Sequence, residues 1–94
     1  MIIAWSAEAK EEVKDIYSYL LDEAPILADD WANELENKLN LITSFPEMGR
    51  KVPEFSISFI REVFVGRYRL VYTYQDGVIK VVAIRPMGRP LGKL

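Results

Sequence analysis

The chain has 94 residues, half of them apolar and 28% charged, with a formal net charge of −2. That composition suits one folded domain and excludes an intrinsically disordered segment. Cysteine and histidine are both missing, which removes disulfides, thiolate and imidazole metal sites, cysteine nucleophiles and Ser-His-Asp triads.

The elements follow from the spacing of apolar residues. Ile2 to Trp5 are strand formers and predict a short first strand. Ser6 stands at an N-cap position, ahead of Glu8, Glu11 and Glu12, whose charge suits a helix N-terminus. Ala9, Val13, Ile16, Leu20 and Ala24 recur at helical spacing and mark one stripe of an amphipathic helix. Pro25 ends that helix and suits the first turn of the next. Ala28, Trp31, Ala32, Leu35, Leu39, Ile42 and Phe45 mark the buried face of the second helix, which Pro46 closes. So short a connection implies an antiparallel helical hairpin over about residues 7–45.

Pro46 to Pro53 reads as a loop by its proline and glycine content. Ser58 to Val65, Tyr68 to Gln75 and Val78 to Arg85 are rich in β-branched and aromatic residues, and predict a three-stranded antiparallel meander over about residues 58–85. Gly66-Arg67 and Asp76-Gly77 separate these strands. Asp-Gly is a strong hairpin signal, because both central residues of a type I′ turn need positive φ. Residues 86–94, rich in proline and glycine, predict an irregular tail. The expected fold is one α+β two-layer domain over residues 1–94, ordered β-α-α-β-β-β, with the helical hairpin packed on an antiparallel sheet. The pairing of the first strand stays open. No apolar run approaches the ~20 residues of a membrane helix, and Met1 to Ser6 lack the basic and long apolar stretches of a secretory signal. A cytoplasmic location is expected.

The small net charge conceals an asymmetry. Residues 1–47 carry three Lys/Arg and eleven Asp/Glu, a net of −8, while residues 48–94 carry nine and three, a net of +6. Strict strand alternation groups Phe59, Arg61, Val63 and Val65; Arg69, Val71, Thr73 and Gln75; and Ile79, Val81, Ala83 and Arg85. With aligned registers, Arg61, Arg69 and Arg85 meet on the sheet face away from the helices. Ile60, Phe64, Leu70, Tyr72, Val82 and Ile84 then form the core, a set into which Glu62 and Lys80 fit poorly. An open face with three arginines, and with Lys51 and Arg89 in adjoining loops, is the expected target-binding surface, since guanidinium groups clamp phosphate or carboxylate. The competing role for each arginine is to lie over apolar surface and pair with a glutamate.

Other constellations carry less. Trp5 and Trp31 read as core and the five tyrosines as half-buried packing residues. Asp29-Asp30 and Glu11-Glu12 read as solvated faces, so no metal is expected, and Gly49, Gly66 and Gly88 are isolated turn glycines. Phosphodiester cleavage without a metal needs an acid, a base and charge stabilisation. Arginines can supply the last; Glu54, Glu62, Lys51 and the tyrosines have no diagnostic spacing as proton carriers.

Taken in order, Ser6 to Ile16, Ala28, Leu35 to Leu41, Phe45-Pro46-Glu47-Met48-Gly49-Arg50, Arg61, Tyr68-Arg69-Leu70-Val71-Tyr72 and Ile84 to Arg89 resemble the RelE/ParE toxin superfamily of bacterial toxin–antitoxin modules. The resemblance covers nearly the whole chain. It implies the same β-α-α-β-β-β fold, a type II plasmid-stabilisation toxin that arrests growth, and no cofactor. It also implies a cognate antitoxin, bound in a heterodimer or larger assembly. ParE-like members poison DNA gyrase and are not nucleases. RelE-like members cut messenger RNA in the ribosomal A site, with arginines and a C-terminal tyrosine or histidine.

Arg61 and Arg89 match arginines shared by the superfamily. Arg85 stands near where many members carry histidine, and Pro90 to Leu94 offer no tyrosine. A pI of about 5.1 also suits ribosome binding poorly. These departures imply the ParE-like activity, which is not enzymatic, with Arg61, Arg69, Arg85, Arg89 and Lys51 contacting gyrase. A RelE-like endoribonuclease would use Arg61, Arg85 and Arg89 as catalytic residues on the ribosome and its message. A member retaining only antitoxin binding is the third alternative. The antitoxin is expected to cover apolar residues around the helical hairpin and a sheet edge, with acidic side chains meeting the basic second half.

Overall fold

The computed structural model describes residues 2–94, in the order β1 (Ile3–Trp5), α1 (Ala7–Glu23), α2 (Pro25–Ser44), β2 (Arg50–Lys51), β3 (Ile60–Val65), β4 (Tyr68–Gln75) and β5 (Val78–Pro86). The Ser6 hydroxyl accepts the Ala9 amide at 3.0 Å, capping α1, and donates to the Val82 carbonyl at 3.1 Å. The cap therefore also fastens the start of α1 to β5. Ala24 adopts extended backbone, φ −168°, and ends α1, and Pro25 opens α2 directly after it. Ala9 and Ile16 of α1 and Ala28, Trp31, Leu35 and Ile42 of α2 are buried, as the helical stripes predict. Phe45 departs from its expected place: it caps α2 with 63% of its surface exposed.

The five strands form one sheet in the order β1-β5-β4-β3-β2. β3, β4 and β5 make the expected antiparallel meander, with Asp76 (φ 51°) and Gly77 (φ 74°) forming the β4–β5 turn. Two features correct the sequence reading. β1 runs parallel to β5, so the sheet is mixed. Within the expected loop, Arg50 and Lys51 pair antiparallel with Glu62 and Arg61 as β2; two residues are too few to display an alternating pattern. Among the described residues, no helix is long and apolar enough to cross a membrane.

The sheet buries both faces. Against the helices lie Val63, Val65, Leu70, Tyr72, Ile79, Val81 and Ile84. On the far side Val71 and Ala83 are buried beneath Val52 and Leu91, with Phe55, Ile60 and Val82 packed around them. The segment after β2 and the C-terminal tail therefore cover the face that was expected to be open.

The assignment of β3 to the two faces is also reversed. Val63 and Val65 turn toward the helices, while Ile60, Glu62 and Phe64 belong to the far side. Both alternating sets contain bulky apolar residues, so hydrophobicity alone does not distinguish them. In the β4–β5 pairing the register slips between Val71 and Tyr72 of β4, whose partners on β5 are Ala83 and Val81. Val82 is the unpaired residue of this β-bulge, which sends Ile79 and Val81 to the helical core but Ala83 to the far side.

Candidate functional site

Strand register separates the candidate arginines into two groups. Arg69 and Arg85 face each other across β4 and β5, on the far side of the sheet. Arg61 pairs with Tyr72 on β4 and with Lys51 on β2, which places it on the helix side. The expected gathering of Arg61, Arg69 and Arg85 on one face does not occur, because the phase of β3 is one residue from that assumed.

Arg61 closes the loop that follows α2. Its Nη1 donates to the carbonyls of Glu47 at 3.0 Å and Gly49 at 2.8 Å. The Tyr72 hydroxyl completes the closure, donating to the Pro46 carbonyl at 2.7 Å and accepting from the Gly49 amide at 3.1 Å. Burial pushes the Tyr72 phenol above its ordinary pKa. Gly49 is required by space: a Cβ there would stand 2.6 Å from the Tyr72 hydroxyl and 2.8 Å from the Glu62 carbonyl. The Pro46-to-Arg50 motif is thus a packed corner held by Arg61 and Tyr72.

On the far side the charges form a closed network. Glu62, 1% exposed, accepts Arg69 Nε on Oε1 and Arg50 Nε on Oε2, each at 2.6 Å. Arg69, 7% exposed, also grips Glu54 with both terminal nitrogens, at 2.6 and 2.8 Å. Its guanidinium holds the Glu54 carboxyl at a pKa of about 2, against an ordinary 4.5, and its own pKa rises in return. Arg50 lies 5.1 Å from the centre of the Phe64 ring. Two arginines and two glutamates thereby balance their charges, Glu62 and Arg69 buried and Arg50 and Glu54 at the surface.

Arg85 is engaged separately. Its Nε donates to Glu12 Oε2 at 3.0 Å, and its Nη1 donates to the carbonyls of Leu91 and Lys93. The other Glu12 oxygen accepts the Ile84 amide at 3.1 Å. The Leu91 amide donates to Glu54 at 3.3 Å, so both charge clusters hold the tail. Arg89 and Lys51 are exposed.

The counter-ions Glu12, Glu54 and Glu62 are the residues that sequence reasoning missed. Glu62 did leave a trace, as an acidic residue misplaced in an apolar strand set. Glu12 and Glu54 left none, since each meets its arginine from a distant element.

A helical hairpin laid on one side of this five-stranded mixed sheet is the fold of known bacterial toxins. A chain of the chromosomal ParDE toxin–antitoxin system from P. aeruginosa superposes with a TM-score of 0.72 at 13% identity, covering 92% of this chain and 95% of that one. The YoeB dimer from Staphylococcus aureus gives a TM-score of 0.65 at 20% identity, covering 90% and 94%. No curated protein sequence matches the chain. The family model of the ParE toxin of the type II toxin–antitoxin system parDE matches residues 3–91. The chain belongs to that family, within the RelE/ParE superfamily, and is a ParE-family toxin of a type II toxin–antitoxin system. Membership implies a cognate antitoxin as partner.

Proposed function

We propose that this toxin arrests growth by inhibiting DNA gyrase and has no nuclease activity. The observation that carries the proposal is the internal engagement of its strand arginines. A metal-independent ribonuclease needs guanidinium groups aimed at the charge developing on the scissile phosphate. Here Arg61 holds two carbonyls, Arg69 two carboxylates, and Arg85 one carboxylate and two carbonyls. RNA would have to displace those partners and open the far face. Target contact falls instead to the exposed cations Arg89 and Lys51. The toxin acts in the cytoplasm, where gyrase works, and the antitoxin releases the arrest, as a plasmid-stabilising module requires.

Two assays on the same purified toxin test this. Supercoiling by gyrase is expected to fall with added toxin, while toeprinting on translating ribosomes shows intact message. Cuts in the A site with unimpaired supercoiling would establish the RelE-like alternative. Neither effect, together with unimpeded growth when the toxin is expressed alone, would leave antitoxin binding as its one role.

A further inference from the structure

The tail after β5 is held by its backbone and by one side chain. The Met87 amide donates to the Arg67 carbonyl at 2.8 Å. Further on, Arg69 Nη1 donates to the Arg89 carbonyl at 3.5 Å, Glu54 accepts the Leu91 amide at 3.3 Å, and Arg85 Nη1 donates to the carbonyls of Leu91 and Lys93. Of residues 87–94, Leu91 alone is buried, against Val52, Val71 and Ala83. Chain ends are loose unless tied down; here three charged side chains and one apolar anchor tie residues 89–93.

What this tie leaves outside is charged. Arg89 and Lys93 stand two residues before and two after Leu91, both exposed and without an ion pair among the described residues. Arg50, Arg69 and Arg85 are by contrast taken up by Glu62, Glu54 and Glu12. Gly88 (φ 83°) and Gly92 (φ 66°) turn the backbone on either side of the anchor, so the leucine goes inward while its charged neighbours stay in water. The polar grips fall on backbone atoms. They fix where the segment runs and leave the side chains of Arg89 and Lys93 free to meet another molecule. Ordering a segment beforehand spares the binding step that entropy cost.

We propose that Arg85, Glu54 and Leu91 are positioning residues for target recognition, holding the tail so that Arg89 and Lys93 form one preset pair of cations against an acidic surface of the target protein. These roles rest on gyrase being the target. They add to that reading Lys93 as a second contact in the tail and the device that places both side chains. On a loose tail the two cations would still steer encounter through their charge. Each would then have to be ordered on binding, at a cost in affinity.

The test uses the intact toxin with purified gyrase, reading the half-inhibitory concentration in supercoiling and the order of residues 89–93 by NMR relaxation. Arg89→Ala/Lys93→Ala is expected to raise that concentration roughly ten-fold with the melting temperature unchanged. Lys10→Ala/Lys14→Ala, the same loss of charge on exposed positions of α1, should leave it unmoved. Arg85→Lys keeps a cation beside Glu12 but removes the planar fork that spans Glu12 and both carbonyls. It is expected to loosen residues 89–93 and raise the concentration about three-fold. Leu91→Ala frees the same segment without altering an arginine and should act alike. Placed in the Arg89→Ala/Lys93→Ala background, neither substitution should weaken inhibition further, because each acts through those two side chains; a merely structural role would weaken it in both backgrounds. Equal losses in the two backgrounds, equal effects of the tail and α1 charge removals, a tail that stays ordered in Arg85→Lys and Leu91→Ala, or full inhibition by Arg89→Ala/Lys93→Ala would overturn the proposal and leave gyrase as the target. Wild-type toxin that leaves supercoiling untouched would overturn both.

Discussion

Glu62 receives Arg50 and Arg69 on separate oxygens while almost wholly removed from water. A buried carboxylate of this kind is tolerated because both oxygens are satisfied by charged donors; neutralising it leaves Arg69 with Glu54 as its one carboxylate partner and weakens the bonds to both arginines in a dry setting. Glu62→Gln is therefore expected to lower unfolding free energy in urea by about 3 kcal/mol, and the double variant Glu62→Gln/Arg69→Met to recover part of that loss. Glu54 gives a pH signature. Its folded pKa of about 2 lies below the ordinary 4.5, so between those values the unfolded chain binds more protons than the folded one. Its contribution to stability is complete above pH 4.5 and declines as pH falls toward 2. Thermal melts across this range should show the decline in the wild-type protein and a shallower one in Glu54→Gln.

At the scale of elements, the tail is part of the fold. Leu91 is 2% exposed and completes the far-side cluster with Val52, Val71 and Ala83. Leu91→Ala is expected to cost about 2 kcal/mol, at the low end for a buried leucine because a chain end can relax. Hydrogen exchange should then show faster amides in residues 87–94 and across β4 and β5, with α2 unaffected. The tail's seat was illegible in its own residues, whose prolines and glycines speak only of irregular backbone. The helices were legible because their apolar spacing, Ser6 and Pro25 agree on the same boundaries. Tyr68–Gln75 was legible for the same reason, set between two glycine-containing turns. The phase of β3 was not, since Ile60 and Phe64 compete evenly with Val63 and Val65. The bulge at Val82 and the pairing of β1 depend on contacts distant in sequence, which local pattern does not encode.

Across the whole molecule, an acidic helical layer and a basic sheet layer meet in one chain, and the family model over residues 3–91 places it among ParE toxins. The motifs that carried the family resemblance were readable, but the partners of their arginines were not. Arg61 was found by its place in the strand, whereas its role in closing the loop after α2 emerges only from the folded backbone. The asymmetry of charge was plain in the sequence; which carboxylate holds which arginine was not, because Glu12, Glu54 and Glu62 come from three separate segments. The central claim is that the strand arginines are held by the protein itself rather than offered to a polyanion. Hydrogen exchange of the arginine Nε–H groups, followed by NMR with and without a short RNA, tests it most directly. The account predicts slowed exchange at Arg50, Arg69 and Arg85 and no shift of these three signals on adding RNA. Free exchange at Arg69 and Arg85, with RNA-dependent shifts of both, would contradict it.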